Sequence, residues 1–367
     1  MLDYGWMYGA ATDVRGAPEI VTVMVGSDRY TSWKRVLISA SIREAARSFH
    51  LEVAAETGAP ATARQFKAGA EVDISANNDR LLIGYVDRYQ PRIEAGSAGI
   101  TITGRSKAAD LIDSSAVHKT GRFKQKTLVE FGNELAQPHG VKIITDQTLA
   151  PFDHQITPGT TVFREIEKKA RSEGLTLMGD ADGNVVVTKA GTKRHAGGIF
   201  EGKNLKIGEA DHNWSNRFGK YIVRAQRTTG HGADSLEIEA LARDAKVRGN
   251  RVLVVVQDDD SDHRRAKKRA KGRRDRSAGA ALCVNVTLPG FRDEAGVPWT
   301  PGWLVWTESP YLDVAQDMLI EDVTYGQDEQ GSLTQLKLVD PRAYDGKKSK
   351  GNKSGDDWDM DDSEAEG

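Results

Sequence analysis

Apolar and polar residues alternate along much of the first hundred positions. Ile20 to Val25, Val36 to Ile42, Phe49 to Ala54, Val72 to Ser75, Leu81 to Val86 and Ile100 to Thr103 follow the two-residue period of half-buried strands. Pro60, Gly69, the Asn77-Asn78-Asp79 cluster and the stretch from Gly96 to Gly99 separate these runs with turn-forming residues. The pattern predicts a small antiparallel barrel or sandwich over 18–105, preceded by an N-terminal arm at 1–17.

After Gly104 the period changes. Ser106 is placed to cap a short helix, and Leu128, Phe131 and Leu135 then recur on one helical face before Gly140 ends the pattern. A strand is expected at Val141 to Thr145. A second amphipathic helix opens near Thr161, presents Val162, Ile166 and Ala170, and stops at Gly174. Leu175 to Met178 and Val185 to Thr188 flank the Asp-Gly turn chemistry of Asp180 to Gly183, which predicts a hairpin. Residues 106–199 therefore form an α+β module.

Strand patterns return at Lys220 to Arg224, at Arg251 to Gln257 and from Leu282 to Val339. They predict a second β-barrel domain over 200–225 and 278–345, interrupted by a small charged strand and helix segment at 226–277. Beyond it, Gly, Ser, Lys and acidic residues dominate, so 346–367 is expected to be a disordered charged tail.

The two β regions look related. Phe66-x-x-Gly69 matches Trp299-x-x-Gly302, and Val72 matches Val305 at the same spacing. Leu82-Ile83-x-x-Val86 matches Leu319-Ile320-x-x-Val323 after a few extra turn residues, and Ile100-x-Ile102 matches Leu336-x-Leu338. Hairpins draw on a small set of turn residues, so part of this likeness comes without shared origin. The expected fold class is α+β and β-rich, with two related antiparallel β-barrel-like domains, an inserted α+β module and a disordered C-terminal tail.

Composition narrows the function classes. Cys283 is the only cysteine, which excludes an intrachain disulfide and a tetrathiolate zinc site and suits folding in a reducing cytoplasm. No run approaches the roughly 18 apolar residues that span a bilayer, and the N-terminus lacks a signal-peptide pattern. The formal charge of -2 hides a strong asymmetry. Arg264, Arg265, Lys267, Lys268, Arg269, Lys271, Arg273, Arg274 and Arg276 form a basic run, whereas Asp356 to Glu366 is acidic. Asp258, Asp259, Asp260 and Asp262 precede the basic run, so a helix beginning near Ser261 has its charges aligned with its dipole. Ala266 and Ala270 sit one turn apart and suit shallow packing. A phosphate-binding role would use these cations, but interleaved aromatic residues are missing. The run reads instead as a solvated or partner-facing helix, with the acidic tail as one candidate partner.

Catalytic patterns are absent: there is no phosphate-binding Gly-x-x-x-x-Gly-Lys-Ser/Thr loop, no Gly-x-Ser-x-Gly elbow and no His-Glu-x-x-His helix. Asp153-His154 and Asp211-His212 are adjacent pairs, which on a strand point to opposite faces. A carboxylate pair for glycan cleavage is defined by spatial separation, so the alternative of a peptidoglycan hydrolase stays open at this level. No catalytic, metal-binding or cofactor-binding residue is expected, and no cofactor. Among the aromatic residues near the last barrel, Trp299 and Tyr311 beside prolines are interface candidates, while core packing suits Trp303 and most of the others.

Three motifs resemble the baseplate hub proteins of Mu-like contractile phages, the late control protein D family. They are Leu82-Ile83-Gly84-Tyr85-Val86-Asp87 with the stretch from Gly104 to Ala116, Phe163-Arg164-Glu165-Ile166 through Gly174-Leu175-Thr176-Leu177 to Asp182-Gly183-Asn184, and Trp299-Thr300-Pro301-Gly302-Trp303-Leu304-Val305 with Met318 to Val323 and Leu336-Lys337-Leu338. They span roughly residues 20 to 345. Ala108, Ser114 and Gly302 depart from the family pattern, where Thr, Cys and Asn are common. The resemblance implies a homotrimeric, non-enzymatic hub in the virion tail, assembled in the host bacterial cytoplasm, joining a six-fold tube to a three-fold spike. It implies the tail spike, tail tube and other baseplate proteins as partners, with nucleic acid only passing through the channel. The alternatives are a tail-associated peptidoglycan hydrolase and a nucleic-acid-binding protein using 264–276.

Overall fold

The structure, a computed structural model, describes residues 19–31, 33–55, 66–95, 97–226, 237–257, 262–329 and 331–344. The arm expected at 1–17, the tail at 346–367 and the acids Asp258 to Asp260 lie outside these residues.

The first unit has seven strands: β1 (Val21–Val25), β2 (Asp28–Tyr30), β3 (Arg35–Ser41), β4 (Ser48–Ala55), β5 (Glu71–Ala76), β6 (Asp79–Glu94) and β7 (Ser97–Ser106). Alternation works as the sequence predicts, with Val36, Ile38 and Ala40 inward on β3 and Val72, Ile74 and Ala76 inward on β5. β6 runs farther than expected, through Pro91, because β7 pairs with it along its length on one side and a proline is tolerated on a strand with an open edge.

The α+β module contains α1 (Ala109–Asp113), β8 (Arg122–Lys126), α2 (Leu128–Ala136), β9 (Ile143–Thr145), β10 (Phe152–Gln155), α3 (Val162–Ser172), β11 (Thr176–Gly179) and β12 (Val185–Thr188). Thr127 and Glu130 close a capping box at the start of α2, and the Thr161 hydroxyl caps α3. Leu128, Phe131 and Leu135 meet Val162, Ile166 and Ala170 in one core. Arg47 joins this module to the first barrel. Its buried guanidinium donates to the carbonyls of Gly179, at 3.1 Å, and Leu81, at 2.7 Å.

The remaining elements are β13 (Arg194–Phe200), β14 (Ile207–His212), β15 (Lys220–Gln226), β16 (Glu237–Arg243), β17 (Val252–Gln257), α4 (His263–Gly279), β18 (Leu282–Pro289), β19 (Leu304–Ser309), β20 (Val314–Asp328) and β21 (Gly331–Val339). Here the expected limits need correction. β15, assigned from sequence to the second barrel, pairs with β16 and β17 in a separate three-stranded sheet covered by α4. β13, assigned to the α+β module, pairs with β19 of the second barrel. Strand partners, rather than neighbours in sequence, decide both placements.

The second unit repeats the first. Strand order β3-β4-β7-β6-β5-β1 in one becomes β14-β18-β21-β20-β19-β13 in the other. The hydrogen bonds repeat as well: Gly69 N–H donates to Val86 O at 2.7 Å and Gly302 N–H to Ile320 O at 2.8 Å, while Lys34 N–H to Glu52 O and Lys206 N–H to Thr287 O are both 2.9 Å. Each long strand carries a bulge at the same place, Asp87 on β6 and Glu321 on β20. The copies differ at their far edge, where β1 is antiparallel to β5 but β13 is parallel to β19.

This register supports the Phe66/Trp299 and Gly69/Gly302 anchors and corrects the rest of the sequence alignment. Val72 pairs with Gly84 and Val305 with Met318, so the second turn is one residue longer rather than several. Val86 then corresponds to Ile320, and Ile102, opposite Leu51, to Leu336, opposite Val286. The Leu-Ile-x-x-Val match was three residues out of register and the Ile-x-Ile match two. A two-residue slip preserves alternation, which is why apolar spacing alone does not reveal it.

Candidate assembly interface

The two units meet along a continuous ladder. The first half of β20 pairs with β19, and its second half pairs antiparallel with β3 of the first unit, from Asp322 opposite Ser41 to Gln327 opposite Val36. Val323 and Tyr325 on one side, and Ile38 and Ala40 on the other, are buried there. The Glu321 bulge sits at the head of this junction and is itself buried. Its carboxylate lies 2.7 Å from Lys337 Nζ, accepts from the Tyr344 hydroxyl at 2.5 Å and pairs with Arg43. Burial pushes this carboxyl up, but these partners outweigh it and hold it below the usual carboxylate range.

Among the described residues, the equivalent edges elsewhere are open: β5 covers only the first half of β6, and the outer side of Arg88 to Glu94 has no strand beside it. Among the described strands β14 pairs with β18 alone, although its counterpart β3 has strands on both sides. Exposure follows pairing: β14 is exposed at every residue except half-buried Ala210, and Ile93 on β6 is 82% exposed. At the equivalent bulge, Asp87 is solvent-accessible and accepts from Arg105 Nε at 2.8 Å.

The loop before β19 is held by a buried histidine. His195 Nε2 accepts the Thr300 N–H at 3.0 Å, so the ring proton is on Nδ1 and is donated to Asp293, 2.8 Å away. Trp299 and Trp303 flank the ring at 4.8 and 4.7 Å. Burial lowers the His195 pKa and the Asp293 contact only partly restores it. Trp299 is thus core and not an interface residue, whereas Tyr311 is 86% exposed.

The basic run lies on α4, capped by the Asp262 side chain. Ala266 and Ala270 pack on the three-stranded sheet, as their spacing suggested. Arg264, Arg265, Lys268, Arg269 and Arg273 are exposed; Lys267, Lys271 and Arg276 are half-buried. Arg274 departs from the partner-facing expectation: it is buried beside β16 and pairs with Asp275 at 2.9 Å.

The two acid–histidine pairs serve local structure. His154 contacts buried Glu165 at 2.7 Å, and His212 Nε2 meets the Leu312 carbonyl at 2.9 Å. Among the described residues, no group of three or more His, Cys, Asp or Glu side chains is arranged to hold a metal.

Known proteins share this layout. Family models match in sequence order: the N-terminal domain of Mu phage baseplate assembly protein GpP-like at 20–106, the second domain of baseplate hub protein gp44-like at 108–189, and the fourth domain of Mu phage baseplate assembly protein GpP at 262–347. Baseplate hub protein gp44 of Escherichia phage Mu is 25% identical over 335 residues, 88% of each chain. The 43 kDa tail protein of prophage MuSo2 from Shewanella oneidensis superposes with a TM-score of 0.78 at 26% identity, covering 89% of this chain and 99% of that one. The tail protein from Neisseria meningitidis MC58 has the same fold, with a TM-score of 0.73 at 21% identity over 89% of this chain and 99% of that one.

Proposed function

The chain belongs to the baseplate hub family of Mu-like contractile phages, and from that membership we propose that this structural hub works as a homotrimeric symmetry adaptor. The observation that carries the reading is the repeated strand order of its two β units. Three such chains present six similar units, a ring that mates with a six-fold tail tube on one side and a three-fold spike on the other. The tail spike, the tail tube and other baseplate proteins are the partners, and assembly takes place in the host cytoplasm.

The work of the chain is mechanical. Force passing between tube and spike meets ladders of backbone hydrogen bonds, and one ladder already runs without interruption from the second unit into the first. Small molecules and covalent chemistry have no part in this reading. Light scattering tests it: the expected mass is three times the 40.1 kDa chain, stable on dilution into the micromolar range. A monomer at every concentration, and also in the presence of the spike protein, overturns the trimer.

A further inference from the structure

Resting on the trimeric reading above, we propose that Arg88 to Ile93 of β6 in one protomer pairs antiparallel with β14 of the next, in the register that joins the two units inside the chain. The internal ladder sets Val323 opposite Ala40, Tyr325 opposite Ile38 and Gly326 opposite Leu37. The repeat equates Val86 with Ile320 beside matching bulges, and Val36 with Gly208 because their partners, Leu51 and Val286, face the equivalent residues Ile102 and Leu336. Carried over, the register places Tyr89, Gln90, Pro91, Arg92 and Ile93 opposite His212, Asp211, Ala210, Glu209 and Gly208 of the neighbouring protomer.

Both faces of this seam are complementary. On one, Arg88 and Arg92 meet Glu209 and Asp211. On the other, Tyr89 and Ala210 already pack against the barrel core, and Gly208 has Leu205 and Leu312 beneath it. Ile93, exposed in the single chain, comes to lie over Gly208, which has no side chain to obstruct it. Pro91 has no N–H, so the seam lacks the bond that Tyr325 is placed to give in the internal ladder, while its carbonyl still accepts. A proline on an open edge also discourages pairing with foreign strands. The two edges belong to different units, β14 at one end of the strand order and the far half of β6 beyond the reach of β5, so the contact is head-to-tail, the kind that closes into a ring.

Cysteine cross-linking reads the register. Ile42 N–H bonds to Glu321 O at 2.9 Å, which makes Gly326 and Leu37 a non-hydrogen-bonded pair, the closely spaced kind. Arg92 and Glu209 occupy the equivalent positions across the seam. In a Cys283→Ser background, Arg92→Cys with Glu209→Cys is expected to oxidise to covalently closed trimers, and Arg92→Cys with Asp211→Cys, two residues out of register, to remain uncross-linked. R92E is expected to dissociate the trimer and R92E/E209R to restore it. A protein of trimeric mass that neither cross-links in this register nor responds to the charge swap overturns the seam and leaves the trimer standing. A monomer at all concentrations overturns both.

Discussion

At the residue scale, His195 shows how a titratable group becomes a structural joint. One ring nitrogen gives its proton to Asp293 and the other accepts the Thr300 N–H, so a second proton would break a bond that fixes the turn before β19. Burial depresses the folded pKa below the ordinary value of 6.5. The resulting stabilisation is complete above about pH 6.5 and is lost as pH falls towards the folded pKa. Asp293 adds a second step. Burial raises its carboxyl, but bonds from His195, Val297 and Ala196 hold it below the usual range, so its contribution is lost below about pH 4. Denaturant melts across pH should therefore show a shallow decline starting near pH 6.5 and a steeper one below about pH 4. His195→Gln is expected to cost about 1–2 kcal/mol at neutral pH and to flatten the first step. Neither role was legible in the sequence, because His195 and Asp293 are nearly a hundred positions apart and no local motif joins them.

At the element scale, the long strands depend on close backbone approach. A Cβ at Gly104 would stand 2.1 Å from the Tyr85 carbonyl oxygen and 2.5 Å from the Phe49 ring. Gly104→Ala should therefore lower stability by about 3 kcal/mol, since β6, β7 and Phe49 must all shift, and a urea titration measures this directly. α2, α3 and the α+β hairpin were readable because each carries its own cap or turn and apolar period, whereas Ser106, expected to cap α1, ends β7 and its hydroxyl accepts the Arg47 N–H at 3.1 Å, leaving α1 without a side-chain cap. β13 and β14 were not. Arg194 to Phe200 has two adjacent glycines, and Ile207 to His212 is half polar, so neither has the alternation of a buried strand. Each is a strand because a neighbouring strand supplies its hydrogen bonds.

At the scale of the whole molecule, two equivalent units share one continuous sheet, and among the described residues the outer sides of β14 and of the far half of β6 carry no partner strand. Its clustered cations lie on α4, beside the small three-stranded sheet. Among the described residues, none of the exposed cations of that helix lies over an aromatic ring, so the protein is expected to pass through a duplex-DNA column at about 0.15 M salt, where only extended phosphate tracking survives. Retention there would revive a nucleic-acid role for 264–276. The hub reading likewise predicts no release of soluble fragments from purified peptidoglycan, and release that survives further purification and is lost on a carboxylate substitution would contradict it.

Local sequence was enough for the strand-rich class, the α+β module with its two capped helices α2 and α3, the basic helix and the presence of two related β regions. Those features are written in local periods, turn residues and repeated anchors such as Phe66-x-x-Gly69 and Trp299-x-x-Gly302. The register of the repeat, the transfer of β15 to its own sheet, the burial of Arg274 and Trp299, and the junction of β20 with β3 depend on contacts between distant segments. The reason is physical. Alternation specifies which face of a strand is buried but tolerates a two-residue slip, and hydrogen bonds between distant strands resolve what apolar spacing leaves degenerate.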